Sequence, residues 1–206
     1  YDIPCVDLHR LSENIENHNL KSMGQKIITY NGRLEESKGA TDLFNAFLTV
    51  KQKYDDVILV YAGKGGCYRM LERLVIHNNL QDKIFLLGRI GRQEMASLLV
   101  SSDVVVAATR QHLSEGRCQS VIESLSLGIP VIAPNYGAFH FTLTDGINGL
   151  FFKPDDIIDL ATKIILSLED NENLKKGALK LKDNFINPPL LTYSEAISMS
   201  IKDQKS

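Results

Sequence analysis

The sequence predicts an α/β fold with a Rossmann-like, doubly wound parallel sheet of about six strands. Short apolar runs alternate with amphipathic segments from residue 26 onward. The apolar runs hold few polar residues, which is typical of strands covered by helices on both faces. Short turns, several of them rich in glycine, connect these segments, as βαβ units require. Ligands of such sheets bind beyond the carboxyl ends of the strands, so the turns there form the candidate site.

Each element follows from its own hydrophobic pattern. In the first predicted helix, Leu43, Phe44 and Phe47 recur at helical spacing and leave charged residues on the other face. The last of the five helices has Asp155 or Asp156 as its N-cap. The predicted strands are 26–30, 57–62, 84–87, 104–107, 131–133 and 149–152, and the helices are 41–54, 68–78, 93–100, 120–127 and 155–168.

Composition excludes several classes of protein. The chain has 206 residues and a net charge of -2, so nothing favours nucleic acid as a partner. Cys5, Cys67 and Cys118 are scattered and form no CxxC pair, which argues against a disulfide framework and a structural metal site. The sequence holds no apolar run of the ~20 residues that a membrane-spanning helix needs. We therefore expect a cytoplasmic protein, and the missing initiator Met indicates a fragment of a longer one.

Three regions are expected along the chain. Residues 1–24 are polar and predict a linker or strap, whereas residues 25–183 carry the α/β pattern. Residues 184–206 contain Pro188-Pro189, which breaks any preceding helix, and an amphipathic segment that predicts a C-terminal helical extension.

The turns after the first two strands carry glycine and cations. In the first turn, Gly32 allows close backbone approach, and Arg33 and Lys38 flank the start of a helix. Cations oppose the helix dipole there, so an anion bound between them would explain both, although solvated surface charges are the alternative. The second turn holds Gly63 and Lys64 but matches neither a P-loop nor GxGxxG, so it predicts only a close backbone approach to a ligand.

The turn after the fourth strand carries two carboxylates. Glu115 precedes a predicted helix and Glu123 lies about one turn inside it. Between them, the residues from Gly116 to Ser120 would present amides at the helix N-terminus, which suits an anion. Ser120 also fits as the N-cap, and an acidic residue near a helix start is favourable in itself.

These motifs, taken in order, resemble the retaining GT-B-fold glycosyltransferases of family 4, also called glycosyl transferases group 1. Glu115 and Glu123 resemble the family's E-x7-E signature, and Arg33 with Lys38-Gly39 resembles its GR…KG turn. The segments 123–133 and 145–150 resemble the family's E-A-x-A-x-G-x-P-V-I-A and DGxNGxL patterns. The resemblance identifies residues 25–183 as the C-terminal, nucleotide-sugar-binding half of a GT-B fold.

The resemblance implies transfer of a sugar from a nucleoside diphosphate sugar to an acceptor hydroxyl, in polysaccharide or glycan biosynthesis. It implies no cofactor and no metal, an absent N-terminal acceptor-binding domain, and inactivity of the isolated domain. A lipid-linked acceptor and a peripheral position at the inner face of the membrane are further implications. The expected catalytic residues are Glu115, Arg33 and Lys38; the expected donor-binding residues are Gly32, Gly63, Lys64, Arg89, Ile90, Gly116, Arg117, Cys118, Gln119, Ser120 and Glu123.

Two departures keep alternatives open. The family usually has Phe and Gly where this chain has Arg117 and Cys118, and a positive φ at Cys118 would strain the backbone. A nucleotide-sugar-binding regulatory module without activity is therefore one alternative, and an enzyme similar to the UDP-sugar 2-epimerases is another.

Overall fold

The computed structural model of the chain describes residues 26–111 and 118–181. The predicted linker at 1–24 and the predicted extension at 184–206 lie outside these residues.

A six-stranded parallel sheet forms the centre of the described region. Its strand order is β3-β2-β1-β4-β5-β6, the doubly wound order of a Rossmann fold. This confirms the predicted fold class. The strands are β1 (Lys26–Asn31), β2 (Val57–Ala62), β3 (Ile84–Gly88), β4 (Val104–Val106), β5 (Val131–Pro134) and β6 (Gly149–Phe152), and the helices are α1 (Ala40–Lys53), α2 (Tyr68–His77), α3 (Arg92–Ser101), α4 (Gln119–Ser126), α5 (Ile157–Glu169) and α6 (Asn171–Leu181). Short 3₁₀ helices span Glu36–Lys38 and Gly137–Phe141.

The two neighbours of β1 pair with it over different lengths. All six residues of β1 are in register with β2, from Lys26 opposite Val57 to Asn31 opposite Ala62. Against β4, the paired residues are only Ile28 and Thr29. The chain reverses its winding direction between β1 and β4, and this switch point is where doubly wound sheets bind ligands.

Successive residues of β1 enter different hydrophobic clusters. Ile28 and Tyr30 pack on the side of α1, α2 and α5, whereas Ile27 packs with β2 residues and Leu98 of α3. The six residues of β2 are all buried. Helices therefore cover both faces of the sheet, which explains why these strands show no alternation of polar and apolar residues.

Most predicted element boundaries agree with the structure to within two residues. Asp156 is the N-cap of α5, because its carboxylate accepts hydrogen bonds from the amides of Ile158 and Asp159. Two expectations are wrong. Ser120 does not cap α4, since the helix begins earlier and Cys118 is its N-cap residue. The helical pattern of 68–78 also predicts Met70 on the buried face, but Met70 is 46% exposed.

Asp103 connects three elements at the amino end of β4. Its carboxylate accepts a hydrogen bond from the amide of Ile27 at 2.8 Å and pairs with Lys175 of α6 at 3.0 Å. Its carbonyl oxygen accepts a hydrogen bond from the side chain of Asn171 at 2.7 Å. The Asp103 side chain is only 16% exposed, so water cannot readily replace these partners.

We predict that Asp103→Ala lowers the free energy of unfolding by about 2 kcal/mol, because it leaves a buried amide without its acceptor. Urea unfolding followed by circular dichroism measures this change. Asp82→Ala is the matched control, since Asp82 is exposed and its replacement should cost less than about 0.5 kcal/mol. Equal midpoints for the two variants would contradict the role given to Asp103.

Candidate functional site

A cavity of about 350 Å³ opens at the switch point, where β1 and β4 no longer pair. One wall is the end of β1 and its turn, the second is the segment after β4, and the third is the start of α4. The lining residues are Tyr30, Asn31, Gly32, Arg33, Lys38, Val106, Ala107, Ala108, Thr109, Cys118, Gln119, Ser120 and Glu123.

A second cavity of about 520 Å³ lies next to the first, over the ends of β1, β2 and β3. The two cavities share Asn31, Gly32 and Arg33, so they form one continuous crevice. The remaining lining residues of the second cavity are Glu35, Ala62, Gly63, Lys64, Gly65, Gly88, Arg89, Ile90 and Met95.

Close backbone contacts at two glycines bring the turns together. A Cβ atom on Gly63 would lie 1.8 Å from the carbonyl oxygen of Gly32, and Gly63 has a φ of +155°. A Cβ atom on Gly39 would lie 1.9 Å from the carbonyl oxygen of Ala108, and Gly39 has a φ of +65°. Any other residue would push these turns apart or strain the backbone. The turns after β1, β2 and β4 therefore meet at backbone distance.

Two tyrosine hydroxyls from β1 and β2 also hold the backbone of the first turn and of the start of α1. The Tyr30 hydroxyl lies 2.7 Å from the carbonyl oxygen of Arg33 and 3.3 Å from that of Lys38, so its single proton is shared between the two acceptors. Tyr61 donates to the carbonyl oxygen of Ala40 at 2.9 Å, and complete burial raises the pKa of its hydroxyl well above the usual value. Both hydroxyls thus fix the backbone that carries Arg33 and Lys38.

Arg110 ties the first turn to the segment after β4. Its guanidinium binds both carboxylate oxygens of Asp42, at 2.7 and 2.9 Å, and one oxygen of Glu36 at 2.8 Å. Its amide also donates to the carbonyl oxygen of Ser37 at 3.0 Å. The hydrogen bonds that Arg110 donates to Asp42 in particular raise the pKa of Arg110, so it stays charged. This clasp fixes the position of Lys38 relative to β4.

The start of α4 lines the first cavity with Cys118, Gln119 and Ser120. Cys118 is the N-cap residue, and its side chain makes no capping hydrogen bond within the described residues. Its φ of −84° and ψ of 98° are ordinary extended values, so the strain expected for a non-glycine residue here is absent. The Cys118 thiol lies 3.3 Å from the Ser120 hydroxyl. Uncapped amides at a helix N-terminus favour a negatively charged ligand.

The charged side chains of the crevice differ in their partners. Glu123 accepts a hydrogen bond from the Asn31 side chain at 3.3 Å. Arg33 pairs with Glu35 at 3.2 Å and is 68% exposed. The Lys64 side chain extends across Gly88, where a Cβ atom would lie 3.0 Å from its Cε atom. Of the two carboxylates among the described residues that line the crevice, Glu35 is thus paired with a cation and Glu123 is bonded to a neutral amide.

The structure groups the predicted site residues into two sets. The first cavity is lined by Gly32, Arg33, Lys38, Cys118, Gln119, Ser120 and Glu123, and the second by Gly32, Arg33, Gly63, Lys64, Arg89 and Ile90. Glu115, Gly116 and Arg117 lie outside the described residues. His140 lines neither cavity, and its ring nitrogen forms a hydrogen bond with the side chain of Asn135 at 2.7 Å.

Sequence reasoning missed Tyr30, Asn31, Glu35 and Thr109 as lining residues. For Asn31, the available signal was its position next to Gly32 in the first turn. Within residues 26–111 and 118–181, no group of three or more His, Cys, Asp or Glu side chains could hold a metal ion. No helix in this part of the chain is both long enough and apolar enough to cross a membrane.

We predict a coupling free energy of about 2 kcal/mol between Arg110 and Asp42 in a double-mutant cycle of Arg110→Met and Asp42→Asn. The pair is bidentate and Asp42 is only 13% exposed, so solvent screens it little. The control cycle is Arg33→Met with Glu35→Gln, a single-contact exposed pair that should couple by less than about 1 kcal/mol. Urea unfolding gives both values, and equal coupling would show that Arg110 is not a structural clasp.

Comparison with known proteins agrees with the resemblance seen in the motifs. The profile of the family described as Glycosyl transferases group 1 matches residues 12–184. An uncharacterized glycosyltransferase of Methanocaldococcus jannaschii is 31% identical over 191 residues, which cover 84% of this chain and 51% of that protein. The chain thus spans about half of that relative's length.

Two crystal structures show the same fold. Anabaena HepE in complex with UDP matches with a TM-score of 0.73 at 19% identity, over 96% of this chain and 52% of that chain. The C-terminal domain of a Francisella tularensis glycosyl transferase group 1 family protein, LpcC, matches with a TM-score of 0.72 at 23% identity, over 87% of this chain and 95% of that chain. The fold is that of the C-terminal half of a GT-B glycosyltransferase, and the protein belongs to the glycosyl transferases of group 1.

Proposed function

We propose that this chain is the donor-binding domain of a retaining glycosyltransferase that moves a sugar from a nucleoside diphosphate sugar to an acceptor hydroxyl. One observation carries the proposal. The switch-point cavity brings together Arg33, Lys38 and the start of α4 with the carboxylate of Glu123, which Asn31 holds at one oxygen. The cations and the helix start suit a diphosphate, and the carboxylate suits a ribose diol.

The diphosphate would lie in the first cavity. Arg33 and Lys38 line it from the turn after β1, and Gln119 and Ser120 line it from the first turn of α4. When the bond to the sugar breaks, negative charge develops on the departing phosphate, so stabilising that charge is the main task of the protein. We assign that task to the two cations and to the amides of α4.

The nucleoside would extend from the first cavity into the second. Glu123 would accept hydrogen bonds from the ribose hydroxyls, since a carboxylate offers two acceptor oxygens. The base would lie against the second cavity, where Arg89, Ile90, Gly63 and Lys64 line the wall. Because Anabaena HepE was crystallised with UDP, UDP is the first nucleotide to test, followed by GDP and ADP.

The sugar would lie near Glu115, which belongs to the E-x7-E signature with Glu123. We propose that Glu115 contacts the donor sugar and that Gly116, Arg117 and Cys118 contribute to the donor site around it. The departing phosphate would take the acceptor proton on the same face, which gives retention without a protein nucleophile. A role in polysaccharide or glycan biosynthesis, without a cofactor, is part of this proposal.

The remainder of the enzyme would supply the acceptor site. The chain spans about half of its Methanocaldococcus jannaschii relative, and in a GT-B fold the acceptor binds between two domains. We propose an N-terminal acceptor-binding domain as the partner of this one. A lipid-linked acceptor would place the whole enzyme at the inner face of a membrane.

We predict that the chain binds UDP and that Lys38→Met lowers its affinity for UDP about tenfold but leaves its affinity for uridine unchanged. Loss of a charge-assisted contact to phosphate costs about 1.5 kcal/mol or more, and uridine has no phosphate. Glu123→Gln should weaken both ligands, because both carry the ribose diol. Isothermal titration calorimetry measures the four affinities.

Lys176→Met is the matched control, since Lys176 is exposed on α6 and lines neither cavity. An equal effect of Lys38→Met on UDP and uridine would contradict the assignment of Lys38 to phosphate. Failure of UDP, GDP and ADP alike to bind the unmodified chain would overturn the proposed function.

A separate prediction concerns turnover. The chain alone should transfer sugar at least about 10²-fold more slowly than the enzyme with its acceptor-binding domain, because misplacement of an acceptor by 1 Å already costs that much. Release of nucleoside diphosphate from a UDP-sugar in the presence of acceptor measures both rates. Equal rates would show that this domain is catalytically sufficient.

A further inference from the structure

Asn31 is the last residue of β1, and its side chain reaches across the switch point to α4. Its amide nitrogen lies 3.3 Å from Oε2 of Glu123, although 92 residues separate the two in the chain. Side chains alternate along a strand, so Asn31 projects on the same face of the sheet as Thr29, which bonds Ser102 at the end of α3. Both α3 and α4 lie on this face.

The Glu123 side chain is exposed to solvent. It lies on the exposed side of α4, between the buried residues Ile122 and Ser124. In the described part of the chain, the Asn31 amide is the side chain that hydrogen-bonds its carboxylate. A glutamate side chain has three rotatable bonds and would otherwise sample many orientations in water. Binding a ligand would then cost the conformational entropy of these orientations.

The choice of an amide donor has a chemical consequence. A carboxylate has about four lone-pair sites, and one N–H from Asn31 occupies only one of them. A lysine or arginine at the same place would compensate the charge, and arginine would occupy both oxygens as a bidentate partner. The neutral amide therefore fixes the carboxylate while leaving Oε1 and its charge available to hydroxyl donors.

We propose that Asn31 is a positioning residue that presents the Glu123 carboxylate to the ribose 2′- and 3′-hydroxyls of the nucleotide. The proposal rests on the proposed function, because it assigns the diol to Glu123. It adds that the preference for ribose over deoxyribose depends on a residue of β1 as well as on α4. Asn31 lines both cavities, so it lies at the junction where the ribose would join phosphate and base.

The test compares UDP, 2′-deoxy-UDP and 2′,3′-dideoxy-UDP by isothermal titration calorimetry on the unmodified chain and on Asn31→Ala. We expect Asn31→Ala to lower the affinity for UDP about fivefold, the effect of one hydrogen bond. The same substitution should change the affinity for 2′,3′-dideoxy-UDP less than about twofold, because no hydroxyl remains for Glu123 to accept. A merely structural effect would weaken all three ligands equally.

Two further variants sharpen the test. Asn31→Asp keeps the size of the side chain but replaces the donor by a second carboxylate, which repels Glu123. It should therefore lower the affinity for UDP more than Asn31→Ala does. Asn173→Ala is the matched control, because Asn173 also donates to a carboxylate, that of Asp170, but lines neither cavity. It should leave all three affinities unchanged. Thermal unfolding of each variant checks that the fold is retained.

The outcomes separate this proposal from the proposed function. If Glu123→Gln lowers the affinity for UDP but Asn31→Ala leaves it unchanged, the positioning role of Asn31 is overturned and the proposed function is not. Equal loss for UDP and 2′,3′-dideoxy-UDP in Asn31→Ala also overturns it, since Asn31 would then act on another part of the ligand or on the fold. Absence of nucleotide binding by the unmodified chain overturns both. A loss confined to the ligands with ribose hydroxyls supports the proposal.

Discussion

The early end of pairing between β1 and β4 is the constraint on which the crevice depends. The two strands share only the positions of Ile28 and Thr29, whereas β1 and β2 share all six residues of β1. Beyond Thr29, the chain leaves β1 and β4 in opposite directions around the sheet. The cavity at this gap is therefore a property of strand order, and the side chains decide only what it binds.

Around this gap, the carboxylates differ in the charge of the side chains that they contact. Four carboxylates lie close to the first turn and to the start of α1 and α4. Arg110 engages Asp42 and Glu36, and Arg33 engages Glu35. Glu123 is instead met by the neutral Asn31. Among these four carboxylates, Glu123 is the one that lines the switch-point cavity, and its partner is the uncharged one. Its negative charge is therefore not neutralised by that partner.

The sequence predicts the sheet well because burial acts locally. A strand such as β2, buried at every residue, must consist of apolar residues, and its pattern needs no knowledge of its neighbours. The turns could likewise be placed, since they follow strands. The N-cap prediction for Ser120 was wrong because the residue at which a helix begins depends on tertiary packing as well as on local propensity. Propensity favours serine at the N-cap, but the helix begins one residue after Cys118.

The contact between Asn31 and Glu123 could not be predicted for a related reason. It requires the order of strands, the register of β1 and the rotation of α4 about its axis, all of which arise from packing between distant segments. The resemblance to a family supplied Glu123 but was silent on Asn31. The motif contains the residue that carries the charge, whereas the residue that orients it follows only from the three-dimensional packing.

Solvent exposure limits what the crevice can do in this domain alone. Arg33 is 68% exposed and Glu123 lies on an exposed helix face, so both act in a medium close to water. Charges that attract a diphosphate by about 1 kcal/mol each in water would attract it several times more strongly once water is excluded. Under the proposed function, the side chains that would recognise a nucleotide belong to this chain, whereas the low dielectric that would make such charges effective at a departing phosphate would come from a surface that covers the crevice. Recognition and catalysis thus make different demands on the same side chains.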